Sequence, residues 1–413
     1  MGTEKLFEAA LGIGEPWYVR EARFNAAAHS LTIAVDFRSG SRFAHPEAQG
    51  LQPVHDTVPK RYRHLNFFQH ECFLEVRVPR VRLPDGRVLM IELPWAGKLS
   101  GFTLLFEALV LTLCQQMTFA AVARLVGESW HRVAAIARRY VDLALEEADF
   151  SQVRSLAVDE TSRARGHDYV TLAADAHPER RAVIFVTEGR GADAIARLAE
   201  DLKAHGGDPA IIDTVSIDMS PAFIKGVGQH LPNARITFDK FHVIAHASQA
   251  IDETRRFEQI SAPELKGLRW TLLKDYGALR RDQQRDLDAL MQLPANRTAR
   301  AWLYREHLRE ILDRKQINVV TRMLRQWCTN VMRSKVDAMK RVVALIRKHW
   351  DGVLAWAQTR QTNGFLEALN GLFQAAKRKA RGYKNLATIR AVIFLIAGKL
   401  DFSRLNPYVA QPT

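Results

Sequence analysis

The spacing of hydrophobic positions changes along the 413-residue chain. In residues 1–97, short runs that alternate apolar and polar residues are separated by scattered prolines, a pattern typical of β-strands and loops. Asp85-Gly86 stands between the runs Val78–Leu83 and Val88–Leu93 and predicts a hairpin turn. The amino-terminal segment is therefore predicted to form a small β-rich module.

From Phe102 onward the spacing becomes helical. The predicted helices span Phe102–Cys114, Thr118–Leu125 and Trp130–Tyr140. Val126-Gly127 separates the two shorter helices, and Ser129 can cap the second. Two short helices around a glycine turn are typical of a helix-turn-helix DNA-binding region, here residues 98–148, although a helical hairpin in a bundle has the same pattern. The candidate DNA-contacting residues are the arginines of the second short helix, Arg132, Arg138 and Arg139.

The next part of the chain, residues 149–245, mixes strand and helix patterns. The predicted strands are Val153–Val158, Tyr169–Ala174, Ala182–Thr187, Thr214–Ile217 and Arg235–Phe238, and the predicted helices are Asp193–Ala204 and Ala222–Gln229. From Val243 to about Ala357 the pattern is helical almost without interruption, and further helices are predicted for Asn363–Ala380 and Ile389–Leu400. The sequence thus predicts an α/β core followed by a long helical segment.

Three acidic residues lie at positions where an α/β core could place them in a ligand-binding site. Asp159 and Asp218 each follow a predicted strand, and a strand that ends on Asp presents its carboxylate at the sheet edge, where open α/β sheets bind ligands. Asp is equally common as a helix cap or turn residue. Glu367 lies on a predicted helix, on the same face as Asn370 and Gln374. Three carboxylates could hold Mg²⁺, which prefers oxygen ligands, if the fold brings them together.

The net charge of the chain indicates which class of molecule it binds. The chain has 59 Lys and Arg against 45 Asp and Glu, a formal net charge of +14, which favours a polyanion such as nucleic acid. A basic run with no acid follows Glu367 and would suit a phosphate backbone; it comprises Lys377, Arg378, Lys379, Arg381 and Lys384. Because no apolar run approaches the roughly 20 residues of a membrane span, and no signal peptide is present, we expect a cytoplasmic, nucleoid-associated protein without membrane contact.

Four local strings together resemble a known family. They are Ala157-Val158-Asp159-Glu160-Thr161-Ser162, Ser216-Ile217-Asp218-Met219-Ser220, Phe238-Asp239-Lys240-Phe241-His242-Val243, and Thr362-Asn363 to Glu367 with Asn370 and Lys377 to Tyr383. Their order, and the predicted order of strands and helices, are similar to those of bacterial insertion-sequence DDE transposases of the ISL3 family. The resemblance covers nearly the whole chain.

The resemblance implies an RNase H-like catalytic core in residues 149–245, an all-helical insertion in residues 246–354 and a catalytic helix in residues 355–413 that completes the core. It places the catalytic, metal-binding triad on Asp159, Asp218 and Glu367, with two Mg²⁺ (or Mn²⁺) ions. The accessory residues that it suggests are Asp239, His242, Trp270, Asn363 and Asn370. Asp239 and His242 could equally be a helix-start Asp and a packed His, and we expect Trp270 to be a core residue rather than a residue that stacks on an unpaired base.

One departure from the family pattern concerns the amino-terminal module. Members of the family carry cysteines there in a small zinc-ribbon-like fold, whereas this chain has Gln52 and Leu83 at about two of those positions. The three cysteines, Cys72, Cys114 and Cys328, are too far apart for a zinc motif and are predicted to be buried free thiols. We therefore expect a degenerate module that folds without zinc around its apolar residues.

The sequence predicts a DNA transposase that cleaves transposon ends and transfers the freed strands into target DNA. Its partners would be the double-stranded transposon ends and target DNA, with a homodimer or larger oligomer in the synaptic complex. Two alternatives come from other classes. A catalytically inactive DNA-binding protein of transposase descent fits the lost cysteines, and a glycosidase also uses paired carboxylates, although the basic tail suits a neutral sugar poorly.

Overall fold

The amino-terminal segment forms a six-stranded sheet in the computed structural model, which describes residues 2–99, 101–164, 168–293, 296–383 and 385–403. Its elements are α1 (Thr3–Leu11), β1 (Trp17–Asn25), β2 (Ser30–Phe37), β3 (Arg42–His45), β4 (Ala48–Phe67), β5 (His70–Arg82) and β6 (Val88–Met90). The strands run in the order β1-β2-β5-β4-β3, with β6 paired to β5. The predicted hairpin between β5 and β6 is confirmed, and Gly86 supplies its positive φ of 88°.

Apolar side chains fill one side of this sheet. Leu31, Ile33, Leu74 and Val76 are buried at its centre, at alternate positions of β2 and β5, which pair in parallel. The two positions without the family's cysteines are also inside: the Gln52 side-chain amide donates to the Gln49 carbonyl at 2.8 Å, and Leu83 belongs to the apolar core. All three cysteines are buried and unpaired, as predicted.

Three helices follow the sheet: α2 (Leu104–Cys114), α3 (Phe119–Val126) and α4 (Trp130–Glu146). Gly127 ends α3 with a φ of 72°, and Ser129 caps α4 by accepting a hydrogen bond from the Arg132 amide at 3.3 Å. The predicted two-helix motif and its turn are therefore confirmed. Helix α4 continues six residues beyond the predicted end at Tyr140, because Val141, Ala144 and Leu145 extend its buried side.

A fully buried carboxylate holds the start of this helical region together. The Glu107 side chain on α2 accepts hydrogen bonds from the Lys98 and Leu99 amides at 2.7 and 2.8 Å and from the Tyr140 hydroxyl at 2.8 Å. Burial raises the pKa of Glu107, and these donors lower it. The approach to α2 and the middle of α4 are thus fixed to one side chain.

A second compact unit comprises residues 148–375 and 396–399, while the first comprises the rest of the described chain. The strands of the second unit are β7 (Ser155–Ala164), β8 (Asp168–Asp175), β9 (Ala182–Glu188), β10 (Thr214–Ile217) and β11 (Arg235–Phe238), with helices α5 (Ala192–Ala204) and α6 (Pro221–His230). The sheet order is β9-β8-β7-β10-β11. Strands β7, β8 and β9 are antiparallel neighbours, and β10 is parallel to both β7 and β11.

One strand boundary differs from the prediction. Asp159 does not end its strand, because β7 continues to Ala164 and Asp159 is paired with Leu172 of β8. On its other side, however, β7 pairs with β10 only as far as Ala157. Asp159 therefore lies just past the end of the parallel pairing. Asp218 directly follows β10, as predicted.

Helices make up the remainder of the chain. They are α7 (Lys240–Glu258), α8 (Arg269–Leu273), α9 (Arg281–Gln292), α10 (Arg297–Asp313), α11 (Ile317–Met332), α12 (Asp337–Lys348), α13 (Trp350–Thr359), α14 (Gly364–Lys379) and α15 (Leu386–Ala397). The apolar sides of α7 and α10–α13 join the core of the β7–β11 sheet. No helix of the described residues is both long enough and apolar enough to span a membrane.

The Glu107 contacts yield a stability prediction. The Glu107→Ala substitution is expected to lower the free energy of unfolding by about 3–5 kcal/mol, because it leaves three donors without an acceptor in a buried position. Tyr140→Phe, which removes one of the donors, should cost only about 1 kcal/mol. Urea denaturation of both variants measures the difference, and equal midpoints for Glu107→Ala and wild type would contradict this role.

Candidate active site

Two aspartates lie at the same edge of the β7–β11 sheet. Asp218 follows β10, and its Oδ1 accepts a hydrogen bond from the Ser220 amide at 2.9 Å, a turn that leads into α6. Asp159 lies two residues beyond the last β7 residue paired with β10. Since β7 and β10 are parallel, both carboxylates stand at the carboxyl end of that pairing.

Helix α14 is fastened along β7 by three polar side chains. The Asn363 side chain donates to the Val158 carbonyl at 3.3 Å, and Asn370 donates to Asp159 Oδ2 at 2.8 Å. Gln374 donates at 3.0 Å to both the Thr161 hydroxyl and the Ser162 carbonyl. These residues recur at helical spacing, so they form one side of the helix.

Glu367 lies on that same side, between Asn363 and Asn370. Its side chain is exposed, whereas Leu366, Leu369 and Phe373 form the buried side of the helix. The structure therefore puts Glu367 on the part of α14 that faces the strand bearing Asp159, with its carboxylate open to solvent.

The charges of Asp218 and Glu367 both act on Asp159. Burial, with the negative charges of Asp218 and Glu367 adding to its effect, raises the pKa of Asp159 to about 6. The Glu160 amide, which donates to Asp159 Oδ1 at 2.8 Å, and the electrostatic interaction with His242 both lower this pKa. Asp159 is thus a desolvated carboxylate with two acidic neighbours, a position that a cation would stabilise.

Asp239 has a structural role that the sequence left open. It is fully buried and caps α7, with Oδ1 accepting from the Phe241 amide at 2.9 Å. Its Oδ2 accepts from the Thr362 hydroxyl at 2.7 Å and from the Asn363 amide at 2.6 Å. Asp239 therefore joins the start of α7 to the start of α14, and the helix-start interpretation describes it correctly.

Two histidines of α7 face the acidic residues. His242 interacts electrostatically with Asp159, and its buried Nε2 has no hydrogen-bond partner among the described residues. His246, one turn later, was not predicted. Burial lowers the pKa of His246, the charge of His242 lowers it further, and Asp218 raises it. The signal that could have identified His246 is its four-residue spacing from His242 on the predicted helix.

The donor chemistry of this edge suits a hard divalent cation. Within the described ranges, no group of three or more His, Cys, Asp or Glu side chains is arranged to hold a metal ion. Mg²⁺, however, is usually held by one or two carboxylates, with water and substrate phosphate completing its shell. Asp159 and Asp218 supply carboxylate oxygens, and the buried Oδ1 of Asn370, beside Asp159, finds no partner in the described structure. The residues present therefore fit Mg²⁺ or Mn²⁺.

The prediction that Trp270 is a core residue is wrong. Its side chain is 66% exposed on the short helix α8, and the Arg269 guanidinium lies 5.1 Å from its ring centroid. Arg269 is held in turn by the carboxylate of Asp252 at 3.7 Å. The sequence was misleading here because a helical apolar pattern does not distinguish a core tryptophan from one left on the surface.

The predicted DNA-contacting residues lie in the first unit. Arg132 pairs with Glu128 at 2.8 Å and lies over the Phe102 ring, while Arg138 is half-buried and Arg139 is exposed. In the basic run at the end of α14 and just beyond it, Arg378, Lys379 and Arg381 are exposed and Lys377 is half-buried. Lys384 lies outside the described residues.

Comparison with known proteins agrees with this arrangement of a helix-turn-helix followed by a mixed α/β unit. The profile of a transposase family matches residues 156–393, and the profile of the helix-turn-helix domain of transposase family ISL3 matches residues 91–141. The chain belongs to the ISL3 family of transposases.

Two curated transposases are similar over most of their length. The transposase for insertion sequence element IS1001 of Bordetella parapertussis is 28% identical over 344 residues, which cover 80% of this chain and 83% of that protein. The transposase for insertion sequence element IS1557 of Mycobacterium tuberculosis is 26% identical over 365 residues, or 81% of each chain. The helix-turn-helix is thus the DNA-binding region of a transposase.

The raised pKa of Asp159 predicts a gain in stability when its charge is removed. Asp159→Asn is expected to raise the free energy of unfolding at pH 7.5 by about 1–3 kcal/mol, because a pKa of about 6 in the folded protein means that the fold disfavours the ionised form. The gain should be largest above pH 6 and should vanish below about pH 4, where the carboxyl group is protonated in both folded and unfolded chains.

Urea denaturation in the presence of a chelator, at pH 7.5 and at acid pH, tests this prediction. Glu200→Gln, which neutralises an exposed acid of α5, is the matched control and should change little at either pH. An Asp159→Asn variant no more stable than wild type at pH 7.5 would show that the fold does not disfavour the ionised Asp159 carboxylate.

Proposed function

We propose that this chain is a DDE transposase whose RNase H-like core uses Asp159, Asp218 and Glu367 for divalent-metal-dependent cleavage of transposon ends and strand transfer into target DNA. The observation that carries the proposal is that the charges of Asp218 and Glu367 both act on the desolvated Asp159, although the three residues come from β7, β10 and α14. The sheet order β9-β8-β7-β10-β11, antiparallel at one end and parallel at the other, supports an RNase H-like core.

The protein's own groups prepare this site. Asn370 holds one oxygen of Asp159 through a 2.8 Å hydrogen bond, and the Glu160 amide holds the other. Asp239 fixes the turn from which α14, and with it Glu367, begins. Asp159, Asp218 and Glu367 would hold Mg²⁺ or Mn²⁺, with the Asn370 amide oxygen as a further donor. When bound, a pair of such ions activates an attacking oxygen and stabilises the leaving oxygen of a phosphodiester.

Residues of the first unit would hold the DNA. Helix α4 presents Trp130, His131 and Arg132 as exposed residues at its amino end, the part of a recognition helix that contacts base edges. The basic run after Glu367 would neutralise backbone phosphates. Because two transposon ends must be joined to one target, the working form would be a homodimer or a larger synaptic complex.

The triad proposal predicts a separation of binding from cleavage. The Asp218→Ala and Glu367→Gln variants are expected to bind duplexes carrying the terminal sequences of the element as tightly as wild type but to lose at least 1,000-fold in Mg²⁺-dependent cleavage, since each removes a carboxylate of the site. Gel electrophoresis of labelled end duplexes measures cleavage, and fluorescence anisotropy measures binding. The Glu200→Gln variant should cleave at the wild-type rate.

The outcomes separate the two functions that remain open. If wild type binds the ends and is as inactive as Asp218→Ala with both Mg²⁺ and Mn²⁺, the chain is a DNA-binding protein without catalysis. If Glu367→Gln cleaves normally while Asp218→Ala does not, Glu367 is not part of the site.

The exposed Trp270 is proposed to stack on an unpaired base near the cleavage site. Stacking of a base on an aromatic side chain is worth about 1–3 kcal/mol. Trp270→Ala is therefore expected to slow end cleavage about tenfold or more, and Trp270→Phe should retain most of the activity. Thermal denaturation should show little change because the side chain is exposed. If Trp270→Ala cleaves the ends at the wild-type rate, Trp270 does not have this role.

A further inference from the structure

Helix α11 in the second unit has an unusual distribution of charge. Its sixteen residues, Ile317–Met332, include arginines but no acidic residue. One side is buried in the core through Val320, Leu324, Trp327 and Val331. The opposite side borders a shallow, open surface depression lined by Ile317, Asn318, Thr321, Arg322, Arg325, Gln326 and Thr329. We call the polar residues Asn318, Arg322, Arg325, Gln326 and Thr329 the α11 face.

Several arginines of the helical insertion are paired with carboxylates. Arg255 and Arg256 share the carboxylate of Asp252, and Arg341 pairs with Glu253. Arg305 and Arg309 likewise pair with Glu306.

Within the described part of the chain, by contrast, the Arg322 and Arg325 side chains form neither a salt bridge nor a hydrogen bond, although both are exposed. Two like charges three residues apart on a helix repel each other by a few tenths of a kcal/mol, a cost that an external anion would remove.

The dimensions of this surface suit a nucleic-acid backbone. From Asn318 to the exposed Arg333 the helix rises by about 22 Å at 1.5 Å per residue, a length that spans several successive phosphates of one strand. Guanidinium groups match phosphate oxygens in a two-pronged geometry, and the Asn, Gln and Thr side chains between them can donate to phosphate as well. Contacts to phosphate oxygens carry no sequence information.

We propose that the α11 face binds the phosphate backbone of target DNA, without regard to its sequence, while the helix-turn-helix unit recognises the transposon ends. The inference rests on the proposed function, because only a transposase requires a second duplex. Charge complementarity supports the proposal, because unpaired guanidinium groups lie on an acid-free helix of the unit that contains the proposed triad.

The test uses the full-length chain with the double substitution R322A/R325A. As a matched control, R280A/R341A removes two exposed arginines that are already paired, with Asp282 and Glu253. Anisotropy with a random-sequence duplex over a range of salt concentrations is expected to show a slope of log affinity against log salt that is smaller by about 2 for R322A/R325A, since each phosphate contact contributes about 0.9. The control should keep the wild-type slope within about 0.5.

Activity assays provide a second readout. With pre-cleaved ends, R322A/R325A should lose at least tenfold in strand transfer into a plasmid target, while end binding and end cleavage stay within twofold of wild type. R322E/R325E should lose more, and circular dichroism should show both variants folded.

A wild-type salt slope for R322A/R325A, or an equal loss of end cleavage and strand transfer, would overturn the proposal. The slope is measured without catalysis, so this failure is distinct from that of the proposed function, which Asp218→Ala tests.

Discussion

The attachment of α14 to β7 is the interaction on which the proposed site depends. The hydrogen bond from Asn370 to Asp159 joins residues 211 positions apart, and the bond from Gln374 to Thr161 joins residues 213 apart. Between them the chain passes through the rest of the sheet and the whole helical insertion. Without these contacts, Glu367 would have no fixed relation to the two aspartates. Asp239, at the start of α7, also holds the start of α14, because its carboxylate accepts from both Thr362 and Asn363.

The same arrangement is unfavourable for the metal-free protein. Asp159 is desolvated and has two acidic neighbours, and both conditions raise its pKa, to about 6. Burying a charge beside like charges is tolerated in proteins mainly where function requires it. The α11 face is similar in kind, because Arg322 and Arg325 repel each other and have no carboxylate nearby on their own helix. In both places the partner that we propose carries the opposite charge: a divalent cation at the acids and a phosphate backbone at the arginines.

Local sequence signals predicted much of this structure. Strands β10 and β11 have the predicted bounds, because each is a short β-branched run between turn residues. The Ser129 cap and the Gly127 turn of the helix-turn-helix also followed from residue chemistry alone. What could not be predicted depends on contacts between distant segments. Asp159 lies inside a strand because β8 pairs beyond it, and Asp239 is buried because Thr362 and Asn363 bind it.

The exposure of Trp270 also depends on contacts between distant segments, because the local sequence does not show which side of a helix the rest of the fold leaves exposed. The convergence of Asp159, Asp218 and Glu367 was expected only from a family resemblance, and it is the central claim of this account. Cleavage of the polypeptide by hydroxyl radicals from Fe²⁺ bound in place of Mg²⁺, in the presence of end DNA and ascorbate, tests it most directly. We predict cuts near all three residues that excess Mg²⁺ suppresses. Cuts near Asp159 and Asp218 with none near Glu367 would contradict it.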